Sequence, residues 1–235
     1  MKGSLYLIPA TLGDFDTMDY VLPVYNKQII HGLTAFIVEN ARTARRFIKK
    51  TGHPLPIREL IFVEIGKHAS LSKALTFFKE TVKNQSIGLL SEAGTPCVAD
   101  PGAAIVEAAH ENNVEVIPLV GPNSIILALM ASGFNGQNFT FHGYLPVDKK
   151  QLAQKIRNME ATARKEGQAQ IFIETPFRNR YLFEQLLKTC RTETKLCIAV
   201  NLTLPSQMIR TLSVETWKKQ KVDIVKKPVV FLISK

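Results

Sequence analysis

An α/β fold, with a mostly parallel sheet in the first half of the chain and a mixed sheet in the second, is what this sequence predicts, on three observations. Short apolar runs alternate with helical patterns through the first half, and such alternation implies a parallel sheet with right-handed crossovers. Glycine and proline turns follow several of those runs directly, as ligand-binding loops do at the carboxyl ends of strands. In the second half, three apolar runs come with little helix between them, which indicates antiparallel pairing and therefore a mixed sheet.

Taken in order, Ser4 to Ile8, Ala35 to Glu39, Leu60 to Ile65, Ser86 to Leu90 and Val114 to Pro118 read as strands rich in apolar and β-branched residues. Helical patterns fall between them at Ala41 to Lys50, Leu71 to Lys83 and Ala103 to Glu111. Gly121-Pro122 is the best candidate boundary, giving a first domain over 1–120 and a second over 121–235, although the apolar helix within Asn123 to Gly133 could still pack on the first. Asn123 or Ser124 stands where an N-cap would open that helix. Beyond it come a helix from Lys149 to Lys165, a strand from Ala169 to Glu174, a helix from Asn179 to Thr189, and strands at Lys195 to Val200, Met208 to Val214 and Val229 to Ile233. The sequence has no internal repeat and no low-complexity segment.

With 235 residues and 46% hydrophobic content the chain is long and apolar enough for one large or two small cores, which excludes a disordered protein. No apolar run approaches the roughly 18 to 20 residues that span a bilayer, and the apolar start runs straight into structure, so a cytoplasmic protein without a membrane partner is expected. Cys97, Cys190 and Cys197 are odd in number and lack paired spacing, so they read as buried reduced thiols. His31, His53, His68, His110 and His142 are equally scattered, and no metal site is implied.

The formal net charge is +10, from 30 Lys plus Arg against 20 Asp plus Glu, and a surplus of that size suits a polyanion, nucleic acid first. Arg42, Arg45, Arg46, Lys49 and Lys50 recur at helical steps, with Ala41, Ala44, Phe47 and Ile48 between them. They form the basic face of an amphipathic helix, either merely solvated or screened by a phosphate backbone.

The loop Gly88-Leu-Leu-Ser-Glu-Ala-Gly-Thr-Pro-Cys-Val-Ala-Asp-Pro-Gly102 places two X-Pro steps and two further glycines after a strand. Gly94 and Gly102 can take φ > 0 and admit close backbone approach. Read alone, it is either a ligand loop or a rigid connection. Two further junctions resemble it: Leu5 to Asp14, with Asp14 a possible N-cap, and Val116 to Ser124.

These motifs carry a family resemblance. Ser91-Glu-Ala-Gly-Thr-Pro96 with Asp100-Pro-Gly102, Pro118-Leu-Val-Gly-Pro-Asn-Ser124, Phe139-Thr-Phe-His-Gly-Tyr-Leu-Pro146 and Glu174-Thr-Pro-Phe-Arg178 run in the same order as in the tetrapyrrole-methylase superfamily of S-adenosylmethionine-dependent methyltransferases. Within that superfamily the chain most resembles the small-subunit ribosomal RNA (cytidine-2′-O) methyltransferases. The resemblance implies a two-domain tetrapyrrole-methylase-like fold with the cofactor in the cleft between domains, a homodimer, and the small ribosomal subunit or its RNA as partner. It assigns the cofactor to Pro9, Ala10, Gly94, Thr95, Val98, Asn123 and Ser124, and around the adenosine to Leu145, Thr175, Leu204 and Pro228. The spacing of Arg42, Arg45, Arg46, Lys49 and Lys50 makes them the candidates for contact with RNA.

A ribose hydroxyl is a poor nucleophile, so its methylation gains from a positioned carboxylate or from a cation that stabilises the forming alkoxide. Glu92, Glu39 and Glu174 close strands and are the candidate carboxylates, with Asp100 beside them and Arg178 the candidate cation. A plain Glu174–Arg178 salt bridge is the alternative for that pair.

Several positions depart from the ribosomal RNA subfamily. Its Glu-Asp-Thr-Arg is Glu39-Asn40-Ala41-Arg42 here, Glu92 replaces an aspartate, and Leu204-Pro-Ser-Gln207 stands where a lysine and paired acids are usual. The expected activity is methylation of a small-subunit ribosomal RNA ribose. A small-molecule methyltransferase, on a tetrapyrrole or another acid, and a cofactor-binding RNA module without turnover remain the alternatives.

Overall fold

The computed structural model describes residues 2–13, 15–66 and 69–235, so Asp14 and His68 lie outside the described residues. By internal contacts the chain divides into two compact units, 1–123 and 124–235.

The first unit is built on five parallel strands: β1 (Leu5–Ile8), β2 (Ala35–Val38), β3 (Ile61–Glu64), β4 (Ile87–Leu90) and β5 (Val116–Pro118), in the order β3-β2-β4-β1-β5. Side chains alternate across this sheet, as a period of two requires. Leu5, Ala35, Ile37, Ile87 and Leu89 face α4 (Leu71–Thr81) and α5 (Ala103–Glu111) in one core cluster. Ile8, Phe36, Val38 and Leu90 enter a second cluster with Phe47 and Ile48 of α3 (Ala41–Lys50). Both faces are therefore covered, the usual condition of a parallel sheet.

Two short helices, α1 (Met18–Val21) and α2 (Val24–His31), precede β2 and escape the sequence reading. Tyr20, Val24 and Tyr25 are exposed, so the apolar periodicity that marks a helix is broken there.

The second unit opens with α6 (Ser124–Ser132) and carries five strands: β6 (Phe139–Tyr144), β7 (Ala169–Ile173), β8 (Lys195–Val200), β9 (Met208–Ser213) and β10 (Val229–Ser234). Their order is β6-β7-β10-β8-β9, with β6 and β7 parallel and the other pairs antiparallel, so the sheet is mixed. Helices α7 (Lys149–Glu166) and α8 (Asn179–Thr189), with the short α9 (Val214–Trp217), share one core with Phe172, Ile198 and Phe231.

Asn123 to Gly133 does not join the first domain in one piece, because α6 packs within the second unit. The Thr211 hydroxyl donates to Ser132 O at 2.7 Å, and Thr211 is in register with Cys197, on the sheet face opposite Ile198. Strand β6 likewise escapes the sequence reading. It departs from regular pairing between Phe141 and Tyr144, where Gly143 has φ +64.

Gly88 sits at the centre of the first sheet, paired to Tyr6 on one side and Phe36 on the other. A Cβ there would meet Ile8 Cδ1 at 2.6 Å and Phe36 Cδ1 at 2.8 Å. Gly88→Ala should therefore destabilise the protein by about 1–3 kcal/mol, the usual cost of overpacking a core. Denaturant unfolding of the variant against the wild type measures it.

Candidate functional site

In the first unit β4, β1 and β5 are neighbours, so the loops at their carboxyl ends meet. Ala10 N–H donates to Gly94 O at 2.9 Å, and the Asn123 amide donates to the Thr95 hydroxyl at 2.6 Å. A Cβ on Gly121 would lie 2.3 Å from the Pro9 ring, so only glycine admits the close approach of the first and third loops. Pro9, Ala10, Gly94, Thr95 and Asn123 are thus brought together. Pro9 and Ala10 are buried, which leaves their main chain as what they can offer a ligand.

Of the two glycines in the middle loop, Gly94 takes the left-handed conformation expected of it and Gly102 does not. Gly94 has φ +71, but its missing Cβ faces Leu12 Cδ2 at 3.0 Å and Pro122 O at 3.2 Å, so glycine there serves loop packing before any ligand. Gly102 has φ −65 and needs no left-handed freedom; a Cβ would press on Asp100 Oδ1 and Cys97 Sγ. Left-handed backbone appears instead at Cys97 (φ 67) and Ala99 (φ 63). The Asp100 carboxylate offsets that strain by accepting N–H bonds from Cys97 at 2.8 Å and Gly102 at 2.7 Å. Val98 stands exposed at the tip of this turn. Cys97 is half-buried, not buried as its sequence reading has it, and desolvation with the Asp100 charge pushes its thiol up to about 11.

Glu39 and Glu92 also meet. The Glu92 N–H donates to Glu39 Oε2 at 3.0 Å, and the Thr43 hydroxyl donates to Glu92 Oε1 at 3.2 Å. Burial raises the Glu39 pKa above the ordinary carboxylate value; the bond from Glu92 N opposes this, and the charges of Glu92 and Asp100 add to it. A cavity of about 390 Å³ opens between the Thr11–Gly13 loop, Thr43 and Arg46 of α3, and Glu92.

Helix α3 owes its position to its N-terminus. Asn40 accepts from the N–H groups of Arg42 and Thr43, and Glu64 accepts from Ala41 N–H at 2.6 Å. Its five cations are exposed and Ala44, Phe47 and Ile48 are buried, yet the fold itself engages cations of this face. Lys50 pairs with Asp16 at 2.6 Å, and the Arg45 guanidinium lies 5.3 Å from the centre of the Phe62 ring.

In the second unit, Glu174 and Arg178 form the ion pair given as the alternative, at 3.3 Å. The Glu174 side chain is 2% exposed and its Oε2 is an ion-pair partner without a well-formed hydrogen bond. Thr175 and Pro228 are exposed and Leu204 half-buried, in loops at one end of the second sheet. Those loops are tied by Asn201 N–H to Pro228 O at 3.1 Å and Lys226 N–H to Pro176 O at 3.1 Å. Ser124 starts α6. Leu145 is a correction: its side chain is 3% exposed within the core, leaving only its main chain for a ligand. Sequence reasoning missed Thr203, with φ 71 and a buried hydroxyl oxygen lacking a partner, and Thr43, whose role depends on a fold contact.

Because the folded-state pKa of Glu39 is raised, its contribution to stability is fully present below the unfolded value and is lost as pH rises through the folded one. Glu39→Gln should therefore melt close to wild type at low pH and gain on it as pH rises towards neutrality. Paired thermal melts across that range check the sign.

No family model matches the chain. It is 32% identical over 143 residues to the ribosomal RNA small subunit methyltransferase I of Vibrio cholerae, a match covering 61% of this chain and 48% of that protein. Against the protein of the same name from Bacillus subtilis it is 31% identical over 176 residues, 75% of this chain and 56% of that one. The chain thus spans less than two thirds of the length of these relatives. Among solved structures it is similar to diphthine synthase (TM-score 0.66, 13% identity, covering 99% of this chain and 90% of that one). The methyltransferase CobJ gives 0.63 at 17% identity, covering 99% and 94%. The Thermus thermophilus uroporphyrin-III C-methyl transferase complexed with S-adenyl homocysteine gives 0.57 at 15%, covering 99% and 98%. The chain is thus related in sequence to proteins named ribosomal RNA small subunit methyltransferase I, and its fold is that of these solved methyltransferases and of diphthine synthase.

Proposed function

We propose that the protein is an S-adenosylmethionine-dependent methyltransferase acting on a ribose 2′-hydroxyl of small-subunit ribosomal RNA. The observation that carries this reading is the cavity beside the converged loops, where a carboxylate, Glu92, and a cation, Arg46, line the same space at the foot of a basic helix. The relatives named for ribosomal RNA favour that acceptor over a tetrapyrrole.

The chain's residues fit the cofactor. The Pro9–Ala10, Gly94–Thr95 and Asn123–Ser124 loops would hold its methionyl part. The Leu145, Thr175, Leu204 and Pro228 loops would hold the adenosine, where the unpartnered Thr203 hydroxyl offers an unused polar group. When bound, S-adenosylmethionine supplies an electrophilic methyl on its own leaving group, so the protein's part is orientation and proton handling.

Glu92 is exposed to the cavity, with one oxygen fixed by Thr43 and its backbone N–H held by Glu39. It is placed to take the proton of an acceptor hydroxyl, while Arg46 counters negative charge beside it. The outer cations of α3 supply the phosphate contacts, and the Glu174–Arg178 pair holds the Thr175 turn. No described helix is long and apolar enough to cross a membrane. A cytoplasmic homodimer is part of this reading.

Mapping ribose methylation across ribosomal RNA from cells with and without the protein tests the reading; identical maps would end it. Within the purified protein, Glu92→Gln should keep cofactor affinity near wild type and lower single-turnover methylation by about 10²–10⁴, the usual range for loss of a general base. A wild-type rate at saturating cofactor would remove Glu92 from the chemistry.

A further inference from the structure

On the other side of Arg46 lies a second, larger cavity of about 650 Å³. Arg45, Arg46 and Lys49 of α3 form one wall, and the loop from His53 to Ile57 forms the other. Among the described residues that line it, none is Asp or Glu.

The loop wall is apolar, exposed and firmly held, which surface loops rarely are together. Pro54, Leu55 and Pro56 all face solvent, with Leu55 38% exposed. Gly52 turns the chain with φ +78, and its N–H donates to Lys49 O at 3.1 Å. His53 Nδ1 accepts from Leu55 N–H at 3.1 Å while Nε2 lies 3.0 Å from Leu33 O. Only the neutral ring protonated on Nε2 satisfies both bonds. The His31 ring packs edge-on at 5.8 Å and bonds Thr51 O, so the start of the loop is pinned to the body of the unit. Two prolines limit what freedom remains.

We propose that this groove holds one nucleotide of a single-stranded RNA flanking the acceptor, its phosphate against Arg46 and Lys49 and its base laid on the Pro54-Leu55-Pro56 ledge. The proposal rests on the RNA reading above and adds to it a site for a base. Three cations along one wall suit a phosphodiester, and the apolar ledge suits the face of an unpaired base, which a duplex keeps stacked. An acidic peptide would use the cations and leave the ledge idle. Because Arg46 lines both cavities, a strand seated here continues directly towards Glu92.

The test compares binding of oligouridylate with that of an abasic ribose-phosphate oligomer of equal length and charge. Wild type should prefer the oligouridylate several-fold. Leu55→Ala should lose most of that preference while holding its affinity for the abasic chain, and Lys49→Gln should weaken both alike. Lys188→Gln, an exposed cation on α8, controls for net charge, and a melt confirms that each variant is folded. Base preference retained in Leu55→Ala, or polyglutamate bound as tightly as oligouridylate, overturns the groove assignment alone. Wild type that binds neither RNA oligomer overturns the RNA reading as well.

Discussion

The first unit's site depends on the closeness of backbone at the carboxyl ends of β4, β1 and β5. Gly121 against the Pro9 ring leaves no space for a Cβ and Gly94 packs tightly on Leu12 and Pro122, so the three loops are positioned by steric exclusion as well as by hydrogen bonds. The Ala10 to Gly94 and Asn123 to Thr95 bonds then set their register. A parallel sheet makes this possible, since it delivers all of its strand ends of one polarity to one edge.

Electrostatics at that edge follows from the same geometry. Glu39, Glu64 and Asp100 each accept a main-chain N–H, from Glu92, from Ala41, and from Cys97 and Gly102. Charge-assisted bonds are stronger than neutral ones, which suits these carboxylates to holding loops. Glu92 differs, because its carboxylate accepts from the Thr43 hydroxyl and lines a cavity. Which carboxylates hold loops and which face open space thus follows from whether a backbone donor lies opposite them.

How much of this the sequence discloses varies with the physics behind each element. Helices α3, α5 and α8 match their sequence-read limits because their apolar periodicity is clean, and strands shift by a residue or two at their ends. Helices α1 and α2 and strand β6 were illegible, since exposed Tyr20, Val24 and Tyr25 break the pattern in the first two and Gly143 interrupts the strand. Residue types at the site were legible from turn chemistry and resemblance. Their partners were not: that Glu39 holds Glu92, that Lys50 is engaged by Asp16, or that Leu145 is core depends on contacts far apart in sequence. The groove behind Arg46 was invisible for the same reason, because its two walls meet only after the helix turns back through Gly52.

The departures from the subfamily pattern acquire physical meaning in this setting. Asn40 accepts the N–H groups of Arg42 and Thr43 just as an aspartate would, so the helix keeps its cap while one negative charge is removed beside Glu39. Fewer charges near Glu39 and Glu92 ease the repulsion that already raises the Glu39 pKa. At the second departure, the stretch around Leu204 closes on itself: Thr203 N–H donates to Gln207 Oε1 and the Asn201 amide donates to Ser206 Oγ. Neutral hydrogen bonds there take over the anchoring that a lysine with acidic neighbours could provide. Both changes remove charge and leave a hydrogen-bonded loop anchor in place, so they bear on local charge more than on the architecture of the loops.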